Sequence, residues 1–173
     1  IHNFNIGNKT SLKTIYSING TNYREEDNYY NKIKGPLIVT RNNQFQELNA
    51  ILSIVATHKI NKKNLIKVGF NTNGKNFFLN QREAVSNVLK DKVKEEGDTR
   101  LSQYFLQWKL DPSNKVRFLM GLHGQYFALN RSHAIEPRMG IRIQTGKTQF
   151  FSAGYGLHSQ IQPSGNYFAR IRV

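Results

Sequence analysis

The chain has 173 residues, with 25 Lys and Arg against 11 Asp and Glu, a formal net charge of +14, and no cysteine. The lack of cysteine excludes disulfides, cysteine-based metal sites and a cysteine nucleophile, and an aromatic content of 12% excludes a disordered chain. No apolar run approaches the ~20 residues that a transmembrane helix needs.

The two ends of the sequence carry no terminal features. Residues 1–4 contain no initiator methionine and no basic-then-apolar signal segment. Residues 169–173 likewise close without any distinctive feature. We therefore expect an internal piece of a longer chain.

Apolar and polar residues alternate in runs of about ten residues, a length typical of strands that cross an outer membrane. These runs cover residues 48–60, 102–110, 116–126 and 137–143. A period of two places the apolar residues on one face of a strand and the polar residues on the other. The sequence therefore predicts strands with one apolar and one polar face.

The connections between these runs alternate in length. Short turn-like links occur at 7–9, 61–64, 111–114 and 146–147, long polar connections at 24–46 and 74–99, and a medium one at 130–134. Tight turns on one rim and long loops on the other are typical of transmembrane barrels. We expect an all-β fold, an antiparallel up-and-down transmembrane β-barrel segment, with its apolar face towards lipid and its polar face towards the lumen.

Several aromatic residues then fall near strand ends, as in an interfacial girdle: Tyr16, Tyr104, Trp108, Phe118 and Tyr126.

One segment departs from the strand pattern. In residues 81–96, a helical stripe joins Ala84, Val85, Val88 and Leu89, and a glycine follows at position 97. This spacing predicts a short amphipathic helix inside the second long loop.

The sequence predicts no catalytic residue, metal site or cofactor. Gly146-Lys147-Thr148 is not a phosphate-binding loop, because Ile141 stands where that motif needs glycine. The histidines lack metal-ligand spacing, and the acidic residues do not form a carboxylate pair suited to hydrolysis. We expect a protein that is not an enzyme.

The polar strand faces supply the candidate site residues. Glu136 and Arg138 stand two apart on one face, beside Pro137 at the start of a strand. We expect them to form an ion pair along the lumen wall, with contact to a plug or ligand as the alternative. The full set of lumen-facing or plug-facing candidates is Arg117, His123, Gln125, Glu136, Arg138, Arg142, Gln144 and His158.

The positive charge raises the alternative of nucleic-acid binding. The basic residues are scattered, however, and no run exceeds Lys62-Lys63. Basic residues also suit barrel loops that face anionic lipid headgroups. We expect no nucleic-acid partner.

Several runs resemble the barrel of TonB-dependent outer-membrane receptors, more narrowly the group with an N-terminal carboxypeptidase-regulatory-like domain. The runs are Gln107–Lys109, Gly121–Asn130, Ile135–Arg138, Gly154–Pro163 and Tyr167-Phe168. The detailed resemblance covers about residues 99–168, and residues 1–98 fit in layout alone.

The resemblance implies a Gram-negative outer-membrane transporter with a barrel of about 22 strands. Residues 1–173 would be a partial barrel of about eight strands, without the plug, the signal peptide and the C-terminal strands. Its partners would be outer-membrane lipid, the plug and remaining barrel of the same chain, the TonB complex through the missing N-terminal part, and a nutrient substrate. No ligand-binding residue is carried over.

Two alternatives stay open. The first is an outer-membrane barrel with a structural or adhesive role, which would have no plug upstream. The second is a soluble basic all-β binding module, which high salt would release from membranes without detergent.

Overall fold

The computed structural model describes residues 1–30, 37–86, 88–162 and 167. Eight strands form one antiparallel up-and-down sheet in the order β1-β2-β3-β4-β5-β6-β7-β8. They are β1 (His2–Ile6), β2 (Thr10–Tyr30), β3 (Leu37–Lys59), β4 (Asn64–Val85), β5 (Val88–Ser113), β6 (Val116–Phe127), β7 (Ser132–Gln144) and β8 (Phe150–Gly156). The all-β, up-and-down part of the prediction is confirmed. β1 and β8 stand at the two ends of this order and do not pair with each other.

The long loops expected at 24–46 and 74–99 are wrong over most of their length, because β2 to β5 continue through them. These four strands are 21, 23, 22 and 26 residues long. Polar cross-strand contacts support the extensions, such as the ion pairs Arg41–Asp27 at 3.5 Å and Arg82–Asp91 at 2.8 Å. Opposite charges across a strand pair contribute to the stability of a sheet. Residues 31–36 lie outside the described residues.

The predicted helix at 81–96 is also wrong for the described residues of that segment, which leave out position 87. β4 runs to Val85 and β5 begins at Val88. Glu83 and Lys92 pair across the two strands at 2.9 Å. Helical spacing is a weak preference that strand pairing overrides here.

The short turns lie close to where the sequence places them. Gly7, at the turn of residues 7–9, has a φ of +64°, which glycine adopts without steric cost. Thr145 N donates to Gln149 O at 3.0 Å around the predicted turn at 146–147. The turn expected at 111–114 is displaced, because β5 continues to Ser113 after a register irregularity that begins at Leu110. The medium connection near 130–134 is a turn over residues 128–131.

The chain divides into two compact units. Unit 1 contains residues 1–17, 51–73 and 100–160, and unit 2 contains residues 18–50, 74–99 and 161–173. β1, β6, β7 and β8 belong to unit 1, whereas β2 to β5 each contribute residues to both units.

The strand register of unit 1 separates two faces. One lateral row joins Trp108 to Met120, Met120 to Met139 and Met139 to Tyr155. These four side chains are 39%, 37%, 63% and 67% exposed. The adjacent position of each strand lies on the opposite face, where a second row joins Lys109, Leu119, Gly140 and Gly154. The apolar face of unit 1 is therefore exposed and is not packed into a core.

Burial is limited in both units. Among the described residues, the buried apolar side chains are Phe127 in unit 1 and Phe77, Leu79 and Val93 in unit 2. Buried polar side chains are Asn49, Thr99, Ser102 and Glu136. No helix of the described part of the chain is long and apolar enough to cross a membrane.

Candidate functional site

The carboxylate of Glu136 is the centre of a polar cluster on the polar face of unit 1. Glu136 lies directly opposite His123 in the register of β6 and β7, and it is 2% exposed. Its Oε2 atom accepts a hydrogen bond from Arg138 Nη2 at 2.5 Å and lies 3.1 Å from His123 Nδ1. The expected ion pair between Glu136 and Arg138 is confirmed.

The segment after β8 completes this cluster. Ser159 donates to Glu136 Oε1 through its backbone N at 2.7 Å and through Oγ at 2.5 Å. Gln125 Nε2 donates to Ser159 Oγ at 2.7 Å and belongs to the same cluster. The buried carboxylate is thus fully compensated, as a charge removed from water must be.

His158 does not lie on a strand face, contrary to the prediction. β8 ends at Gly156, and Leu157 N then donates to Pro137 O at 3.1 Å. The chain leaves the sheet edge there, which places Ser159 over Glu136 and leaves His158 exposed. Ser159 was not predicted as a site residue, because it reaches the cluster through this coil and not through strand alternation.

The other three predicted residues lie on the same face, nearer the short turns. Arg117 Nε donates to Asp111 Oδ1 at 2.8 Å. This hydrogen bond, together with one from Lys109, holds the pKa of Asp111 below its ordinary value. The guanidinium of Arg142 lies over the ring of Phe150, 4.1 Å from its centroid.

Gln144 has a structural role at the last turn. Its Nε2 atom donates to Gly146 O at 3.0 Å and to Lys147 O at 3.3 Å. These bonds satisfy carbonyl groups of the turn between β7 and β8. Gln144 therefore does not belong to the Glu136 cluster, because its side chain bonds the backbone of the turn.

A hollow lies beside the Glu136 cluster. Gly121 and Gly140 lack side chains on the polar face, and they line a pocket of about 470 Å³. Polar side chains line this pocket at Asn71, Gln107, His123 and Arg138, and Phe105 and Leu119 add apolar side chains. Such groups can bind a polar ligand through hydrogen bonds.

The cluster does not have the geometry of a hydrolytic site. Nucleophilic catalysis needs a serine bonded to a histidine that is oriented in turn by an acid. Here Glu136 lies between Ser159 and His123, and Ser159 Oγ bonds the carboxylate. The described residues also contain no group of three metal-binding side chains.

No protein-family model matches this chain, and neither a curated protein nor a solved structure is significantly similar to it. Its function is therefore inferred from the residues and their geometry.

Proposed function

We propose that this chain is a section of the barrel of a TonB-dependent outer-membrane receptor, and that it takes part in active import of a nutrient without catalysing a reaction. Its location is then the outer membrane of a Gram-negative cell. Its partners are outer-membrane lipid, the plug and remaining barrel of the same protein, and the TonB complex.

The observation that carries the proposal is the exposed apolar face of unit 1. Across β5 to β8 this face presents neighbouring large apolar side chains, all at least one third exposed: Tyr104, Leu106, Trp108, Met120, Leu122, Ile135, Met139 and Tyr155. Soluble monomers rarely expose continuous apolar patches of this kind. In the bilayer-spanning strands of an outer-membrane barrel, such a face contacts the hydrocarbon of the lipids, and the opposite face of the same strands lines a polar lumen.

The aromatic residues of this face support an interfacial position. Trp108 Nε1 donates to Asn64 Oδ1 at 3.1 Å, next to the short turn at residues 61–63. Tyr104 stacks on Phe70 with ring centroids 5.3 Å apart. An apolar ring with a polar contact at one end, as in Trp108, suits the boundary between lipid and water.

The length of the strands fits a division between membrane and exterior. A tilted strand crosses a bilayer with about 9–11 residues, whereas β5 has 26. Its residues 102–110 place Tyr104, Leu106, Trp108 and Leu110 on one face, opposite Gln103, Gln107 and Lys109. Its residues 90–98 are predominantly charged. We assign the alternating parts of unit 1 to the membrane and the polar strand extensions of unit 2 to the exterior.

The polar face then lines the lumen. The Glu136 cluster and the hollow at Gly121 and Gly140 would face the plug or the passing substrate. The free edges of β1 and β8 would pair with further strands of the barrel.

The proposal is tested by a matched pair of substitutions on adjacent positions of β5. Leu106 is 48% exposed on the apolar face, and Gln107 lies on the polar face. Leu106→Arg places a charge against lipid, which costs about 2–4 kcal/mol near the bilayer centre. We expect it to reduce the fraction that is inserted into outer membranes and resists extraction by high salt, while Gln107→Arg leaves that fraction unchanged.

The soluble alternative predicts a different outcome. An exposed leucine in a soluble domain can be replaced by arginine within about 0.5 kcal/mol. Release of the wild-type protein by high salt without detergent, or equal behaviour of the two variants, would contradict the proposal.

A further inference from the structure

We propose that the short-turn end of unit 1 contains a binding site for a phosphate group. The site is a pocket of about 440 Å³ formed by the turns that follow β3 and β5 and by the ends of β6, β7 and β8. It is separate from the Glu136 cluster, and it does not depend on whether the sheet lies in a membrane.

Two arginines stand directly opposite each other at this pocket. Arg117 on β6 pairs in register with Arg142 on β7, and both line the pocket. Directly opposed side chains have Cβ atoms about 4.5–5.5 Å apart, where like charges are destabilising. A bound anion between the two guanidinium groups would convert this repulsion into attraction.

The two arginines differ in their partners. Arg117 is paired with the carboxylate of Asp111. Arg142 forms no ion pair with any carboxylate of the described residues, and its guanidinium is held over the exposed ring of Phe150. This cation–π contact holds the guanidinium in position, while its N–H donors, which point outwards in the guanidinium plane, can still bind an anion. Arg142 is therefore positioned for an anion that the described residues do not supply.

The remaining charged groups strengthen this preference. The side chains of Lys62, Lys63 and Lys115 add three cations to the lining, against the single carboxylate of Asp111. Lys63 Nζ is oriented by a hydrogen bond to Pro112 O at 3.0 Å. An excess of cations with arginine forks favours a multiply charged anion with several acceptor oxygens, which is the chemistry of a phosphate group.

The experiment is calorimetric titration of the full chain in neutral detergent at low ionic strength. The probes are inorganic pyrophosphate and a short-chain phosphatidate. Binding of pyrophosphate would assign the site to a free phosphate compound, and binding of the phosphatidate alone would assign it to a lipid headgroup. If neither probe binds, the proposal is wrong.

Three variants link binding to the pocket. Arg142→Gln should weaken binding about tenfold, the loss expected for one charge-assisted contact. Arg100→Gln is the matched control, because Arg100 is exposed and lies outside the pocket, and it should bind as the wild type does. Asp111→Asn should strengthen binding several-fold by removing the competing carboxylate, a gain that misfolding cannot produce. Equal binding by Arg142→Gln and the wild type, or no gain in Asp111→Asn, would overturn the proposal.

Discussion

At the scale of single residues, Glu136 is the buried charge on which the polar cluster depends. Glu136→Ala removes the acceptor for Arg138 and for both donors of Ser159. We expect it to lower the free energy of unfolding by about 2–3 kcal/mol, since charge-assisted hydrogen bonds are lost. Denaturant titration in detergent measures this change.

The control for Glu136→Ala is an exposed ion pair of similar form. Asp91 bonds Arg82 at 2.8 Å, and both side chains are nearly half exposed. Asp91→Ala should cost at most about 1 kcal/mol, because solvent screens the pair. Similar losses in the two variants would show that burial does not set the strength of the Glu136 contacts.

Gly69 is a second residue whose identity follows from one contact. The ring of Phe105 occupies the space where a Cβ at Gly69 would lie. Gly69→Ala should therefore destabilise the protein by about 1–3 kcal/mol through overpacking, as measured by denaturant unfolding.

Gly74 on the same strand provides the control for Gly69→Ala. A Cβ there would meet only Ala50 O, at 3.9 Å. Gly74→Ala should cost little, and Phe105→Ala should relieve the loss caused by Gly69→Ala. A Gly69→Ala protein as stable as the wild type would contradict the proposed packing.

At the scale of elements, the hairpin of β4 and β5 turns at a strained position. Ser86 has a φ of +53°, which costs a residue with a Cβ about 1–2 kcal/mol. Ser86→Gly should raise stability by about 0.5–1 kcal/mol, because glycine accepts this conformation. Ser53→Gly, within β3, should instead lower stability, and thermal unfolding compares the two. Equal losses would show that the turn is not strained.

The strands of unit 1 could be predicted from the sequence because their two faces differ chemically. In runs such as 116–126 and 137–143 apolar residues recur at nearly every second position, and β6 and β7 form there. The strand extensions of unit 2 could not be predicted in this way. Their contacts include cross-strand ion pairs such as Arg82–Asp91, which join residues that sequence spacing does not mark as neighbours.

At the scale of the whole molecule, alternation identified the polar face but not which of its residues meet. His123 and Glu136 come together through the register of β6 and β7, which depends on the length of the turn between them. Ser159 contacts Glu136 because the coil after β8 folds back over the sheet. Arg142 contacts Phe150 across the turn at residues 145–149. Such contacts are set by turn lengths and chain reversal, which composition and periodicity do not encode.

The strand order has a consequence for assembly. Each strand pairs with the strand next to it in the sequence, from β1 to β8 without a crossover. Forming each new pair therefore closes only the connecting turn, and the entropy cost of loop closure stays small. The sheet can therefore grow hairpin by hairpin from any of its strand pairs, and no strand has to wait for a distant partner before it is paired.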